Sequence, residues 1–279
     1  MKVSNPTRLE DCFDLTATYI HGGTDLMVAI NFGHARPEHV MSLRKIGELG
    51  AVDVGRSISI GGGVTYTKLV EALGDRSPAM TEAARTVGSP QIRNAGTLGG
   101  NLATCSPAGD TLPVLAALDA TIVVRNAEGE RRLKLDDFML GPKKPALKPG
   151  EVVVAAEWVD TGPSQAFLKA GTRNAMVISV AGLAVVVDRY GRAVRIAIGS
   201  AAPTIVRARD AEDFAYGLFD DSGWSKPLRA SEAALARLGE LVAAAADPID
   251  DVRGTAAYRR HVLAVMARRG VRRAGERVR

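Results

Sequence analysis

Twenty consecutive residues constrain this chain most: Gln91-Ile92-Arg93-Asn94-Ala95-Gly96-Thr97-Leu98-Gly99-Gly100-Asn101-Leu102-Ala103-Thr104-Cys105-Ser106-Pro107-Ala108-Gly109-Asp110. They have little hydrophobic periodicity, so the pattern of an amphipathic helix or a half-buried strand is missing. They are dense in glycine, short hydroxyls and amides. Glycine lets backbone approach a ligand closely and reach torsions closed to other residues. Thr97, Asn101, Thr104 and Ser106 offer donors, and Asp110 offers an acceptor. Pro107 and Pro113 stiffen the exit. A helix expected over residues 112–118 would aim its N-terminus back at the loop. Such a segment can wrap a diphosphate without a lysine. Taken alone, it also reads as an ordinary turn between a helix and a strand.

A second stretch adds weight. Tyr19-Ile20-His21-Gly22-Gly23-Thr24-Asp25-Leu26 reads as a short apolar strand entering a tight turn, then a helix or second strand. Two glycines are again followed by a hydroxyl and a carboxylate. Two such loops can meet on opposite sides of one ligand.

Together, Gly-Gly-Thr-Asp-Leu and the later Ile-Arg-Asn-x-x-Thr-x-Gly-Gly-Asn-x-x-x-x-Ser-Pro-x-x-Asp resemble the FAD-binding medium subunit of the xanthine dehydrogenase and carbon monoxide dehydrogenase family, the molybdenum hydroxylases. The similarity runs through the whole chain. It implies an α+β fold: a two-subdomain FAD-binding domain of the vanillyl-alcohol oxidase type over residues 1–162, with subdomains of about 1–50 and 51–162. A C-terminal α+β domain of flavin-subunit type, with a basic tail, follows over residues 163–279. FAD would lie between the subdomains, bound noncovalently, since no His or Cys stands out as a tether.

The resemblance implies site residues position by position. Gly22, Gly23, Thr24, Asp25 and Leu26 should line the first FAD loop, with backbone N–H groups meeting the diphosphate as amides do in anion nests. Thr97, Gly99, Gly100, Asn101 and Thr104 should form the opposite wall. Asp110 should accept from ribose or adenine, with Ser106 a further contact. Val153 matches an apolar position beside the ring or adenine, and Lys169 a family lysine that reaches the flavin. Without the family, Lys169 reads as a surface lysine on a strand. Ile92 and Arg93 fall where relatives place a residue against the flavin ring. Arg173 supports the same site or an interface. Family members often have Ala where this chain has His21, which is given no role. The family's usual Phe-x-Tyr before the first proline is absent.

The implied function is electron relay. A large molybdopterin subunit would hydroxylate the substrate, and a small subunit with two [2Fe–2S] clusters would feed electrons to FAD. FAD would pass them to NAD+, oxygen, a quinone or another acceptor, within a dimer of heterotrimers. A flavin ring needs position and electrostatics from the protein, which fits a chain with no visible catalytic triad or metal cluster. Competing readings are a stand-alone FAD-dependent oxidase or dehydrogenase, which needs an acid or base over the flavin, and an assembly protein that has lost FAD.

Composition narrows the classes. A chain of 279 residues that is 46% apolar and 24% charged can bury a substantial core. No apolar run reaches bilayer length, and no apolar signal core follows Met1-Lys2-Val3. Cys12 and Cys105 lack Cys-x-x-Cys spacing, so they cannot by themselves hold an iron–sulfur cluster, and a cytoplasmic setting is expected. His21 and His261 have no second metal ligand at useful spacing. The net charge of +5 is partly terminal, where Arg268, Arg269, Arg272, Arg273, Arg277 and Arg279 crowd together. That tail has no aromatics, so it reads as a solvated helix end or an inter-subunit contact rather than a nucleic-acid surface.

Along the chain, helices are expected from residue 7 or 9 to 15, from 67 to 73 capped by Thr67, over 78–87 and over 112–118. Strands are expected at 40–43, 57–60, 121–125, 131–135 and 151–158. The second half reads as β-rich runs at 165–170, 176–188 and 193–199, then helices at about 208–216, 229–246 and 254–269.

Overall fold

The structure is a computed structural model and describes residues 1–278; Arg279 of the basic tail lies outside the described residues. It contains three main sheets, and each begins from a different apolar pattern. The first is small and parallel. It holds β1 (Lys2–Ser4) and β2 (Thr18–Ile20), then α1 (Leu26–Asn31) and β3 (His39–Ser42), in the order β1-β3-β2. Parallel neighbours need crossovers. The 3₁₀ turn at Leu9–Cys12 and α1 lie in the connecting segments. Leu9, Cys12, Met41, Leu43, Ile46 and Leu49 fill its core.

The second region runs through β4 (Val52–Val54), β5 (Ser57–Gly61), α2 (Tyr66–Leu73), α3 (Pro78–Thr86), α4 (Pro90–Ala95), α5 (Leu98–Thr104) and α6 (Thr111–Ala117). It continues with β6 (Thr121–Asn126), β7 (Gly129–Lys134), α7 (Leu135–Phe138), β8 (Met139–Gly141), β9 (Lys144–Pro145) and β10 (Val152–Val159). Its main sheet is antiparallel, ordered β4-β5-β10-β6-β7, with a bulge in β10 between Val153 and Ala155. The Ser-Ile-Ser-Ile alternation of β5 buries Ile58 and Ile60 completely. They join α2, α3, α5 and α6 in one core.

The third sheet, β11 (Gln165–Ala170), β12 (Ala181–Asp188), β13 (Ala193–Gly199) and β14 (Val206–Arg207), is antiparallel in chain order. Helices α8 (Arg209–Ser222), α9 (Glu232–Ala244) and α10 (Ala256–Glu276) follow it. Successive strand residues face opposite sides. Phe167, Ala184, Val186 and Ala197 therefore join the core shared with α3 and α6, while Leu183, Val185, Val187, Ile196 and Ile198 join α8, α9 and α10. A sheet covered on both faces needs near-continuous apolar strands, and β12 is buried along almost its whole length.

Several expectations need correcting. The long glycine-rich stretch is not an open loop but holds α4 and α5, each capped by a hydroxyl. Ser89 Oγ accepts from Ile92 N, and Thr97 Oγ1 from Gly100 N. Thr65, not Thr67, caps α2; Thr67 Oγ1 donates to Asn94 Oδ1. The run from 176 becomes strand only at Ala181, and α10 extends to Glu276. The basic tail is not simply solvated. Arg273 and Arg277 both pair with Glu82 on α3, and Glu82 also accepts from Phe167 N at 2.8 Å. Arg259, 2% exposed, donates to Val180 O, Ser200 O and Asp251 Oδ1. It thereby fixes the start of β12 and the end of β13 to α10.

Candidate functional site

The turn after β2 meets the end of α4, and glycine is what allows the contact. A methyl group on Gly22 would lie 1.8 Å from Ala95 O and 2.4 Å from Ala95 C. Gly23 adopts φ +73°, in the left-handed region that favours glycine. Across the contact, a methyl on Gly99 would lie 2.6 Å from Gly62 O, so α5 rests directly on backbone. Between these turns and β11 lies a cavity of about 530 Å³. Gly22, Gly23, Thr24, Asp25, Leu26, Thr97, Gly100, Asn101, Thr104, Ser106, Asp110 and Lys169 line it, together with Ile92. Gly99 and Val153 do not. Gly99 lies on the buried side of α5, against Gly62, and Val153 belongs to the β10 core, its carbonyl also against Gly62. Arg93 turns away to donate to Val87 O and Gly88 O at the end of α3. Arg173 donates to carbonyls of its own loop, Ala175 O and Met176 O.

Backbone donors need partners, and the two turns differ in where theirs go. Leu98 N donates to Val64 O, Gly99 N to Gly62 O and Gly100 N to Thr97 Oγ1, so the second stretch uses its amides internally. The N–H groups of Gly22, Gly23, Thr24 and Asp25 meet no acceptor among the described residues. These consecutive free donors sit at the cavity wall, as an anion nest requires. Asn101 has a second task, because its Oδ1 accepts from Thr111 Oγ1 at 2.6 Å and ties α5 to α6.

At the far wall, Asp110 Oδ2 accepts from Lys169 Nζ at 2.5 Å and from Thr86 Oγ1 at 3.0 Å. Lys169 also donates to Thr86 O. Its side chain is 9% exposed, so it is not the surface lysine that a lone strand residue suggests. Asp110 Oδ1 is enclosed and has no partner. Burial pushes the Asp110 carboxyl above its usual value, against the pull of Lys169 and Thr86. Tyr66, at the same cavity, has its phenol pushed up by burial and by the charge of Asp110. Sequence reasoning missed Tyr66 and Thr86. The helical spacing of Tyr66 marks only a core residue, and the role of Thr86 depends on a contact 24 residues away.

The fit to a flavin dinucleotide follows from these atoms. The free amides suit a diphosphate, and the orphaned Asp110 oxygen suits a hydroxyl or amine donor. The fold and the cavity define an α+β cofactor-binding protein. Residues 1–157 match the profile of the FAD binding domain in molybdopterin dehydrogenase, and residues 166–274 that of the CO dehydrogenase flavoprotein C-terminal domain. The chain belongs to this family. It is 32% identical to the nicotine 6-hydroxylase medium subunit of Paenarthrobacter nicotinovorans over 99% of this chain and 98% of that protein. It is 39% identical to the nicotinate dehydrogenase FAD-subunit of Eubacterium barkeri, where the match spans 64% of each chain. Among solved structures, a chain of the reconstituted CO dehydrogenase from Oligotropha carboxidovorans superposes with a TM-score of 0.87 at 28% identity, covering 99% of this chain and 98% of that one. No helix among the described residues is long and apolar enough to cross a membrane.

Proposed function

We propose that this chain is the FAD-carrying electron-transfer subunit of a molybdenum hydroxylase. It consists of an FAD-binding unit over 1–162 and a C-terminal unit over 163–279. The observation that carries the reading is the pairing, across one cavity, of free N–H groups at Gly22–Asp25 with the unpartnered Asp110 Oδ1. Bound FAD supplies a ring that takes up and passes on electrons. The chain's own residues supply position. The Gly22–Asp25 amides hold the diphosphate. Asp110 Oδ1 accepts from a sugar hydroxyl or the adenine amine. Lys169, held by Asp110 and Thr86, would meet the same part of the cofactor as Asp110, with its charge balanced by that carboxylate. Thr97, Gly100 and Thr104 form the wall that faces the first turn.

Among the described residues no group of three His, Cys, Asp or Glu side chains is placed to hold a metal ion. Molybdopterin and the [2Fe–2S] clusters belong, in this reading, to a large and a small partner subunit in a dimer of heterotrimers; the likeness to a protein named as a medium subunit supports the partners. The acceptor is NAD+, oxygen, a quinone or another oxidant. The purified chain loaded with FAD should show flavin absorption and diaphorase-type activity at most, and gentle purification should recover two further subunits. Hydroxylation of an organic substrate by the isolated chain would refute the relay. Asp110→Ala should weaken FAD binding by about ten- to a hundredfold, as for loss of a hydrogen bond to a charged group.

A further inference from the structure

We propose that His21 is a ligand of the cofactor's diphosphate. The proposal rests on the FAD reading above and adds a residue to it. His21 lines the cavity and immediately precedes the free amides of Gly22–Asp25. Its ring packs on Gly63, where a Cβ would lie 2.9 Å from His21 Nε2. A neutral imidazole carries one donor and one acceptor. Here Nδ1 is buried without a partner, and no group among the described residues bonds Nε2. A histidine kept for packing would have its nitrogens satisfied or in solvent.

The surrounding charges favour an anion. Arg44, in the segment after β3, and Lys68, on α2, are the charges that act on the ring, and both are exposed. Neither is in a salt bridge among the described residues, and neither is Asp25, the exposed carboxylate on the same turn. Across the cavity, Lys169 is committed to Asp110. That leaves His21 as the cavity-lining side chain able to carry positive charge without a carboxylate partner, among the described residues. The diphosphate brings two negative charges, and a charge-assisted hydrogen bond from a ring nitrogen is the interaction the site lacks.

The linkage has a definite sign. Burial, then Arg44 and Lys68, hold the free ring below its ordinary 6.5. A dianion beside it raises that value, so binding takes up a proton. The gain is complete below the free value and fades as pH rises through the bound one. Affinity for FAD should therefore rise as pH falls from 8 to 5.5. Asp110 titrates in the same cavity and Tyr66 flanks it, but both are common to parent and variant. The difference between the two isolates His21.

The test is the dissociation constant of FAD for the deflavinated full chain, read by flavin fluorescence across pH 5.5–8, for the parent, His21→Ala and His21→Gln. Riboflavin, which has no diphosphate, serves as a second probe. The expected result is roughly tenfold tighter FAD binding at low pH that is lost in both variants, because glutamine keeps a hydrogen bond but cannot protonate. Riboflavin should show no such difference between parent and variants. Parent and variants sharing one pH profile for FAD would overturn the role of His21 and leave the FAD site standing. A parent chain that binds no FAD at all would overturn both.

Discussion

Replacing Glu82 with alanine should loosen the lysine wall of the cavity without altering any cavity-lining residue. The carboxylate of Glu82 holds three groups at once: Phe167 N on β11, and the guanidinium groups of Arg273 and Arg277 at the end of α10. Phe167 lies two residues before Lys169 on the same strand face, and Lys169 reaches back to Thr86, one turn after Glu82 on α3. The lost hydrogen bond to the Phe167 amide costs about 1.5–3 kcal/mol, because the acceptor is charged. The two arginine pairs are 33–42% exposed on the arginine side and contribute about 0.2–1 kcal/mol each. The total is about 2–5 kcal/mol. At about 2.1 cal/mol/K of unfolding entropy per residue, this lowers the melting temperature by about 3–8 °C. Calorimetry at low and high salt separates the parts, since salt screens the arginine pairs but not the amide bond. FAD should also bind more weakly in Glu82→Ala, as Lys169 loses its support. A variant melting within a degree of the parent, with unchanged flavin affinity, would refute the clamp.

Three further outcomes are expected. Gly22→Ala forces a methyl into the Ala95 carbonyl, so it should cost about 1–3 kcal/mol of stability and abolish flavin retention, as read by melting and visible absorption. Gly100→Leu meets only Thr97 Oγ1, 3.1 Å from its Cβ, and points into the cavity, so circular dichroism should stay as in the parent while FAD binding is lost. Asp251, hydrogen-bonded first by Arg253 and flanked by Arg259, is held well below its usual 3.8. Its contribution is present above that value and lost as pH falls through the lowered one. The stability gap between the parent and Asp251→Asn in urea titrations should persist from neutral pH to about 4 and close only in stronger acid.

The two glycine turns were legible because their chemistry is local. Glycine, hydroxyl and carboxylate at short spacing announce close backbone contact before any fold is known. The strand at 57–60 was legible for the same reason, since alternation is a property of neighbours, and those at 121–125 and 151–158 were legible as short valine-rich runs. Within the long stretch, α5 was obscured by its glycines and α4 by its shortness and polar composition, although Ser89-Pro90 and Thr97 were available as cap signals. The start of β12 was set too early, because the apolar residues 176–178 belong to the segment that reaches the cavity rather than to the sheet. The Glu82 clamp was not legible at all. It joins residues as far as 195 positions apart, and no local pattern distinguishes a docked arginine from a solvated one.

The sheet of β11–β14 serves two cores with its alternate residues. The chain can be divided into family segments on paper, but it cannot be divided by a gene boundary without baring an oily wall on each half. A fragment ending near residue 160 would leave α3 and α6 facing water, and its complement would expose Phe167, Val186 and Ala197. Both halves should aggregate when expressed apart and rescue each other's solubility when made together.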